Sequence, residues 1–493
     1  MSSRVVFIAC LALLCAACKS QSVPTPKPVE EAPPANEAAF RDAAVPAPPG
    51  YTGPKFKLSA DFPKAPPPAC TPQTCPWLSV DVSFATTDFD KGGWGKYMTV
   101  LRNYIQQGQD PNLPDQPGFV TTVNGATRWY NMPWMSFDLT SGREFVHGCT
   151  NERTAFLNDF NGPSAPEIGQ HGFPKLELVK SASCQEQNKV GFESWSVGFY
   201  NEYGGWALGQ AIPRSGEQGG VPQTVTQPSQ LSTMKGLPFP EGTLVTKILT
   251  TSATPECVPA LKNAPVWNVD RHVLDTTTQE YTCARSVQPN HIAQIDVAVV
   301  DARAPNRWVY GTFVYNGALP GATFWERMQP LGVQWGSDPG SWPAVQPQAS
   351  KPLTASSLNP AVNTYQHEGC NGRLAGPVDN ALSSCMSCHM AGYAASPVGT
   401  PITQGFPPSG NVPPIFGFSG LCPLPDTTSL AATQLSQNNA YFNDYPYPAS
   451  YPGYTGLISM DSSLQLQVAM EQYAVFNTHN GLPKACTLDK PKN

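Results

Sequence analysis

Proline recurs 53 times along this chain of 493 residues, beside 41 glycines, so few stretches are long enough to sustain a regular helix. Strands, turns and irregular loops are what such a backbone most readily adopts. Charged residues make up only 13% of the chain, the formal charge is -6, and no large basic patch is visible. That balance argues against nucleic acid as a partner. The length allows about two or three domains.

Four runs carry the strand signal: Trp195 to Tyr200, Thr243 to Leu249, Ile292 to Val300 and Trp308 to Tyr315. Polar and bulky positions alternate within some of them, which predicts sheets with one buried face. The expectation for residues 53–353 is a mainly antiparallel β domain with long loops. Helical periodicity is short there, at Lys96 to Tyr104 and Glu152 to Leu157. The aromatic residues Trp129, Trp134, Trp195, Trp206, Trp308, Trp325 and Trp335 read as the core of such a domain, with a sugar or peptide groove as the alternative. Glu193, Glu202 and Asp338 supply carboxylates, but no spacing makes them a glycoside-hydrolase pair. A nucleotide loop, a Ser nucleophile elbow and a dinucleotide fingerprint are all missing.

The amino terminus reads as an export signal. Arg4 precedes the apolar run Val5 to Leu14, and Cys15-Ala16-Ala17-Cys18 follows. The run is too short to span a membrane, and small residues before Cys18 fit lipidation and cleavage there. Residues 1–17 are therefore the expected lipoprotein signal peptide, with an ordinary secretory signal as the alternative. Residues 18–52 form a lipid anchor and Pro-rich tether that cannot become a regular helix. Lys19, in place of an Asp, favours an outer membrane lipoprotein on its periplasmic or extracellular face.

Residues 354–493 contain Cys385-Met386-Ser387-Cys388-His389. Two Cys separated by two residues and followed by His form the attachment pattern for a c-type haem: the sulfurs bond the vinyl groups and the His coordinates iron. A redox dithiol or half of a metal site is the alternative. One covalently bound haem c is expected, on Cys385, Cys388 and His389. Arg373 is a candidate for a haem propionate, and Met460 for the second axial ligand, with Met470 and His479 as other choices and an open position as a further one. Asp461-Ser462-Ser463 can cap a terminal helix through Phe476, as in a small helical cytochrome.

Outside the signal, Cys18 and the haem pair, the remaining cysteines suit an oxidising envelope compartment. Nearest-neighbour pairing gives Cys70 with Cys75, Cys149 with Cys184, Cys257 with Cys283 and Cys422 with Cys486, leaving Cys370. Sequence does not fix this connectivity. Arg143, Glu144 and His147 form a compact group that reads first as hydrogen-bonded scaffolding, with an anion, propionate or metal contact as alternatives.

Gly372 to Asn380, Ser383 to His389 and Asp461 to Leu466, with Gly142 to Gly148 and Trp335 to Pro339 upstream, resemble an uncharacterised bacterial cytochrome c family of lipoproteins. The resemblance implies an upstream non-haem domain and a carboxy-terminal monohaem domain. The family more usually has Leu-Asp-Tyr where this chain has Met460-Asp461-Ser462. The fold expectation is thus multidomain: a mainly antiparallel β domain followed by a mainly α, class I-like cytochrome c domain. The functional expectation is a periplasmic or cell-surface electron-transfer protein with a redox protein partner. A haem peroxidase or other haem oxidoreductase acting on a small-molecule oxidant is one alternative. An outer-membrane binding protein with a structural or sensory haem is the other.

Overall fold

The structure is a computed structural model that describes residues 59, 61–113, 118–131, 145–146, 149–152, 181–211, 239–275, 277, 280–338, 352–362, 372–379, 384–389, 393–395 and 457–466. The expected signal and tether, Arg143, Glu144, His147, Cys370, Cys422, Cys486, Met470 and His479 lie outside the described residues. Among the described residues no helix is long and apolar enough to cross a membrane.

The chain enters through helix α1 (Trp94–Ile105) and a small hairpin of β1 (Thr122–Val123) and β2 (Ala126–Thr127). The main sheet takes β3 (Phe145–Val146), β4 (Cys149–Asn151), β5 (Ser194–Tyr200), β6 (Leu244–Thr251), β7 (Val266–Asp275), β8 (Glu280–Val300), β9 (Trp308–Tyr315), β10 (Met328–Gln334) and β11 (Ser356–Leu358). These nine strands pair in the order β11-β10-β9-β8-β6-β5-β4-β3, and β7 pairs with β8. Every pairing is antiparallel. Two helices flank β5: α2 (Ala182–Val190) before it and α3 (Glu202–Ala211) after it. All four expected runs are central strands, and the substantial antiparallel β domain expected of a multidomain chain is present.

One face of the sheet is apolar. Cross-strand register puts Phe199, Thr246, Val297, Gly311 and Val333 in one row, and Val197, Ile248, Ile295 and Phe313 in the next. Helix α1 covers this face with Trp94, Tyr97, Met98, Leu101, Tyr104 and Ile105, spaced as one stripe of a 3.6-residue helix. The stripe matches the helical signal read at Lys96 to Tyr104. A Cβ at Gly311 would come within 2.8 Å of the Met98 Cε and Sδ atoms, so Gly311 lets the helix sit close to β9. Trp94 stacks on Trp335 at 4.8 Å between ring centroids, and Trp77, Trp129 and Trp195 are also buried. The tryptophans at 129, 195, 308, 325 and 335 are core residues, as expected.

The other face departs from the expected pattern. Alternating strands imply a solvated second face, yet every residue of β5 and of β9 is buried. The reason is a cover drawn from late in the chain: residues 372–379, helix α4 (Cys385–His389), and the turn through Met460–Leu466 that follows the two-stranded pair of β12 (Tyr393–Ala395) with β13 (Leu457–Ser459). In the expected α region, 354–493, the described helical pieces are α4 and a turn at Leu464–Leu466. Contacts tie the cover down. Tyr200 and Ser463 hydroxyls lie 2.7 Å apart, the Tyr310 hydroxyl donates to the Ser462 carbonyl at 3.1 Å, and a Cβ at Gly198 would meet the Gln465 amide at 2.8 Å.

Disulfides join Cys70 to Cys75, as expected, and Cys184 to Cys257. The second corrects two expected pairs, Cys149 with Cys184 and Cys257 with Cys283. Nearest-neighbour pairing ignored the fold, which brings together cysteines 73 residues apart. Cys149 is a buried free thiol, and burial raises its pKa well above the ordinary thiol range.

Candidate functional site

The second face of the sheet is polar at its centre. Gly198 of β5, Lys247 of β6, Asp296 of β8 and Thr312 of β9 share one cross-strand row. Each sits at a position where alternation turns the side chain away from α1. Asp296 Oδ1 accepts hydrogen bonds from Thr312 Oγ1 at 2.8 Å and Gln294 Nε2 at 2.7 Å. The same Gln294 nitrogen donates to Asp379 Oδ2 at 2.9 Å, so one amide bridges two carboxyl groups. Lys247 pairs with Glu152 at 2.8 Å, and Ser196 Oγ donates to the same Glu152 oxygen at 2.6 Å.

Residues 372–379 and α4 close over this row. Asp379 Oδ2 accepts from Gly376 N, and Val378 N donates to Gln294 Oε1 at 3.3 Å. A Cβ at Gly376 would collide with the Gln294 amide, so only glycine allows this approach. Helix α4 is anchored at its start: Cys385 N donates to Leu374 O, Met386 N to Gln334 Oε1 at 3.0 Å, and Gln334 Nε2 to Ser384 Oγ at 3.3 Å. Met386 and Ser387 are fully buried against the sheet, while Cys385, Cys388 and His389 are half-buried. Neither Cys385 nor Cys388 belongs to the two described disulfides.

The electrostatics of the row follow from burial and from crowding of like charge. Burial raises Asp296 well above the usual carboxylate range, and the neighbouring Asp379 charge raises it further, against Lys247 and the hydrogen bonds from Thr312 and Gln294. Burial also raises the Cys385 thiol, and Asp379 and Asp296 add to the effect. Burial pulls Lys247 down, but Glu152, Asp379 and Asp296 together outweigh it and leave the ammonium favoured. His389 is lowered to about 4, mainly by burial, with Lys247 acting in the same direction and the Ser462 carbonyl opposing.

The residues predicted from the sequence fall into place as follows. His389 Nδ1 lies 2.9 Å from the Ser462 carbonyl, and its ring packs on Tyr310 at 4.6 Å between centroids. Arg373 is fully buried and donates from Nε to Ser337 O at 2.9 Å and from Nη2 to Asp338 O at 3.0 Å. Met460 is buried at the end of β13, before a turn in which Asp461 and Ser462 both have positive φ, 46° and 66°. Asp461 holds that turn: its carboxylate accepts from Phe239 N at 2.7 Å and pairs with Arg307 at 3.4 Å. Asp338 is engaged with the backbone and hydroxyl of Thr354 and the backbone of Ala355. Glu193 pairs with Arg271, and Glu202 accepts from Tyr104, so the three carboxylates serve separate structural roles.

This arrangement corrects the expectation of one covalently bound haem c. A porphyrin held by Cys385, Cys388 and His389 calls for an apolar crevice, whereas the neighbours of Cys385 are the carboxyl groups of Asp379 and Asp296 and the Thr312 hydroxyl. Arg373, the residue expected at a propionate, already donates to two backbone carbonyls. The described disulfide cysteines form structural bridges, and among the described residues no group of three or more His, Cys, Asp and Glu gathers to hold a metal ion. The readings built on that haem are corrected with it: electron transfer through iron, a peroxidase-like haem enzyme, and a binding protein with a structural or sensory haem.

Sequence reasoning missed Lys247, Asp296, Gln294, Thr312 and Glu152. The available signal was a charged side chain within each of two strongly apolar strand runs. Alternation assigned both to solvent, and only the cover buries them. No protein-family model, curated protein or solved structure matches the chain.

Proposed function

We propose that this protein is an exported thiol–disulfide redox protein whose working pair is Cys385 and Cys388. The observation that carries the reading is a pair of cysteines three residues apart on α4, outside the two described disulfides and beside the bridged carboxyl groups of Asp296 and Asp379. Cysteines at this spacing on a helical turn lie near the separation a disulfide needs. Burial and the neighbouring carboxyl groups hold the Cys385 thiol well above its ordinary range, which makes it a poor nucleophile in its resting state. The partner is a protein bearing an exchangeable disulfide, and lipidation at Cys18 would hold the chain at the outer membrane, where thiols face an oxidising compartment.

Purified exported protein equilibrated across a series of reduced-to-oxidised glutathione ratios, then alkylated and mapped by mass spectrometry, tests this reading. The expected result is a reversible Cys385–Cys388 cross-link that Cys388→Ser abolishes. Two results would sink it: thiols that stay unlinked across the whole series, or sulfurs isolated with an added mass that reductant does not remove.

A further inference from the structure

We infer that the β domain carries, at the end of β9, a binding site for a small acidic sugar: a hydroxylated ring bearing one carboxylate, held by Arg327. The inference does not depend on the Cys385–Cys388 reading and uses different elements. The cavity measures about 460 Å³, within the range of about 300–1,000 Å³ usual for small-molecule pockets. Its lining comes from separate parts of the chain: Asn112 after α1, Asn263 and Val266 at the start of β7, Tyr315 at the end of β9, and Phe324 and Arg327 before β10.

The walls are fixed by contacts of the chain with itself. Gly317 N donates to Ala260 O at 2.8 Å, and a Cβ at Gly317 would collide with the Lys262 carbonyl, so glycine lets the 260–263 turn close on the end of β9. Asn263 leaves that turn with a φ of 61°, a left-handed conformation that asparagine tolerates. The Tyr315 hydroxyl donates to the Asn263 carbonyl at 2.8 Å and accepts from Arg327 Nη1 at 3.3 Å. The Tyr315 ring stacks on Phe324 at 5.7 Å between centroids. The guanidinium is thereby oriented at the cavity wall.

The chemistry of the lining selects the ligand. Arg327 is half-buried, its Nε is buried without a hydrogen-bond partner, and no carboxylate among the described residues pairs with it. The neighbouring carboxylates of Asp110 and Glu326 accept instead from the backbone amides of Asn112, Ala322 and Thr323. A guanidinium without an internal counter-ion suits a ligand carboxylate, whose geometry matches its planar fork. Lys262, exposed on the same turn, adds positive charge. The side-chain amides of Asn112 and Asn263 are exposed and make no hydrogen bond among the described residues, and each can both donate to and accept from a sugar hydroxyl. Pro265, Val266 and Phe324 supply apolar surface for the carbon face of the ring.

Isothermal titration calorimetry of the full-length exported protein with glucuronate and galacturonate tests this, with glucose and inorganic phosphate as controls for ring and charge alone. At least one uronate is expected to bind at one equivalent per chain, more tightly than either control. Arg327→Gln should weaken it on the order of 10- to 100-fold, the scale of a hydrogen-bonded charge. Asn112→Ala, an exposed change, and Asn263→Gly, which keeps the left-handed backbone, should each weaken it about 2- to 10-fold. Hydrogen exchange should slow at 260–266 and 312–327 in the bound protein. Three results would overturn the inference: neither uronate binding at millimolar concentration, glucose or phosphate binding as tightly as the uronates, or uronate affinity unchanged in Arg327→Gln and Asn112→Ala alike.

Discussion

The two faces of the central sheet are buried by different means. On one, α1 delivers an aromatic and aliphatic stripe against Val197, Ile248, Val297 and Phe313, and the join is made of side-chain volume. On the other, the cover meets Gln294, Tyr310 and Gln334 through hydrogen bonds, above a sheet row that holds Lys247, Asp296 and Thr312. The first is non-directional and roughly proportional to area, so it supplies stability. The second is directional and demands that each buried polar group be matched, so it fixes position. The Cys385–Cys388 pair lies on the face built for position.

The largest expected effect comes from the apolar face. Trp94→Ala empties a fully buried site stacked on Trp335 and should lower unfolding free energy by about 3–5 kcal/mol. Chemical denaturation measures that loss, while alkylation rates of Cys385 and Cys388 in the folded protein should stay as they were. A change in those rates would break the division between the faces.

A smaller effect is expected from Asp461→Ala on the polar face, about 1–3 kcal/mol, because the Phe239 amide loses its acceptor and Arg307 its carboxylate. Here the reactivity should move. The turn that places the Ser462 carbonyl against His389 and Tyr310 is released, so hydrogen exchange at 457–466 and alkylation of Cys388 should both rise. An unchanged exchange pattern would show that the cover does not depend on this anchor.

The smallest effect should be one of pH. Asp296 is raised in the folded state, so its protonated form is favoured there. That contribution is complete below the ordinary carboxylate range and is lost as pH rises through the raised value. Asp296→Asn should match the parent in acid and fall off less steeply with rising pH. Thermal melts across the range from acid to mildly alkaline measure the difference, and parallel curves for the two proteins would remove Asp296 as a source of pH dependence.

Much of the sheet was legible in the sequence. The runs at Trp195, Thr243, Ile292 and Trp308 are β5, β6, β8 and β9, because β-branched and aromatic residues at period two fit a pleated surface. The stripe from Lys96 to Tyr104 is α1 for the corresponding reason at period 3.6. The short Cys70–Cys75 bridge was legible because five residues leave its partners close. The Cys184–Cys257 bridge was not, since it depends on where β5 and β6 bring the ends of a long excursion.

The site divides in the same way. By itself the sequence determined that Cys385 and Cys388 are paired at a spacing suited to sulfur chemistry, with His389 beside them. What lies beneath them was decided by the tertiary structure alone. Lys247 and Asp296 are 49 positions apart in the numbering yet stand opposite each other in the β6–β8 register, and Asp379 reaches them only because Gly376 lets its segment approach Gln294. Local pattern records period and spacing, which the backbone imposes on every residue in turn. The identity of a thiol's neighbours depends on long-range register and on which late segment buries a polar face, and no short window of sequence contains either.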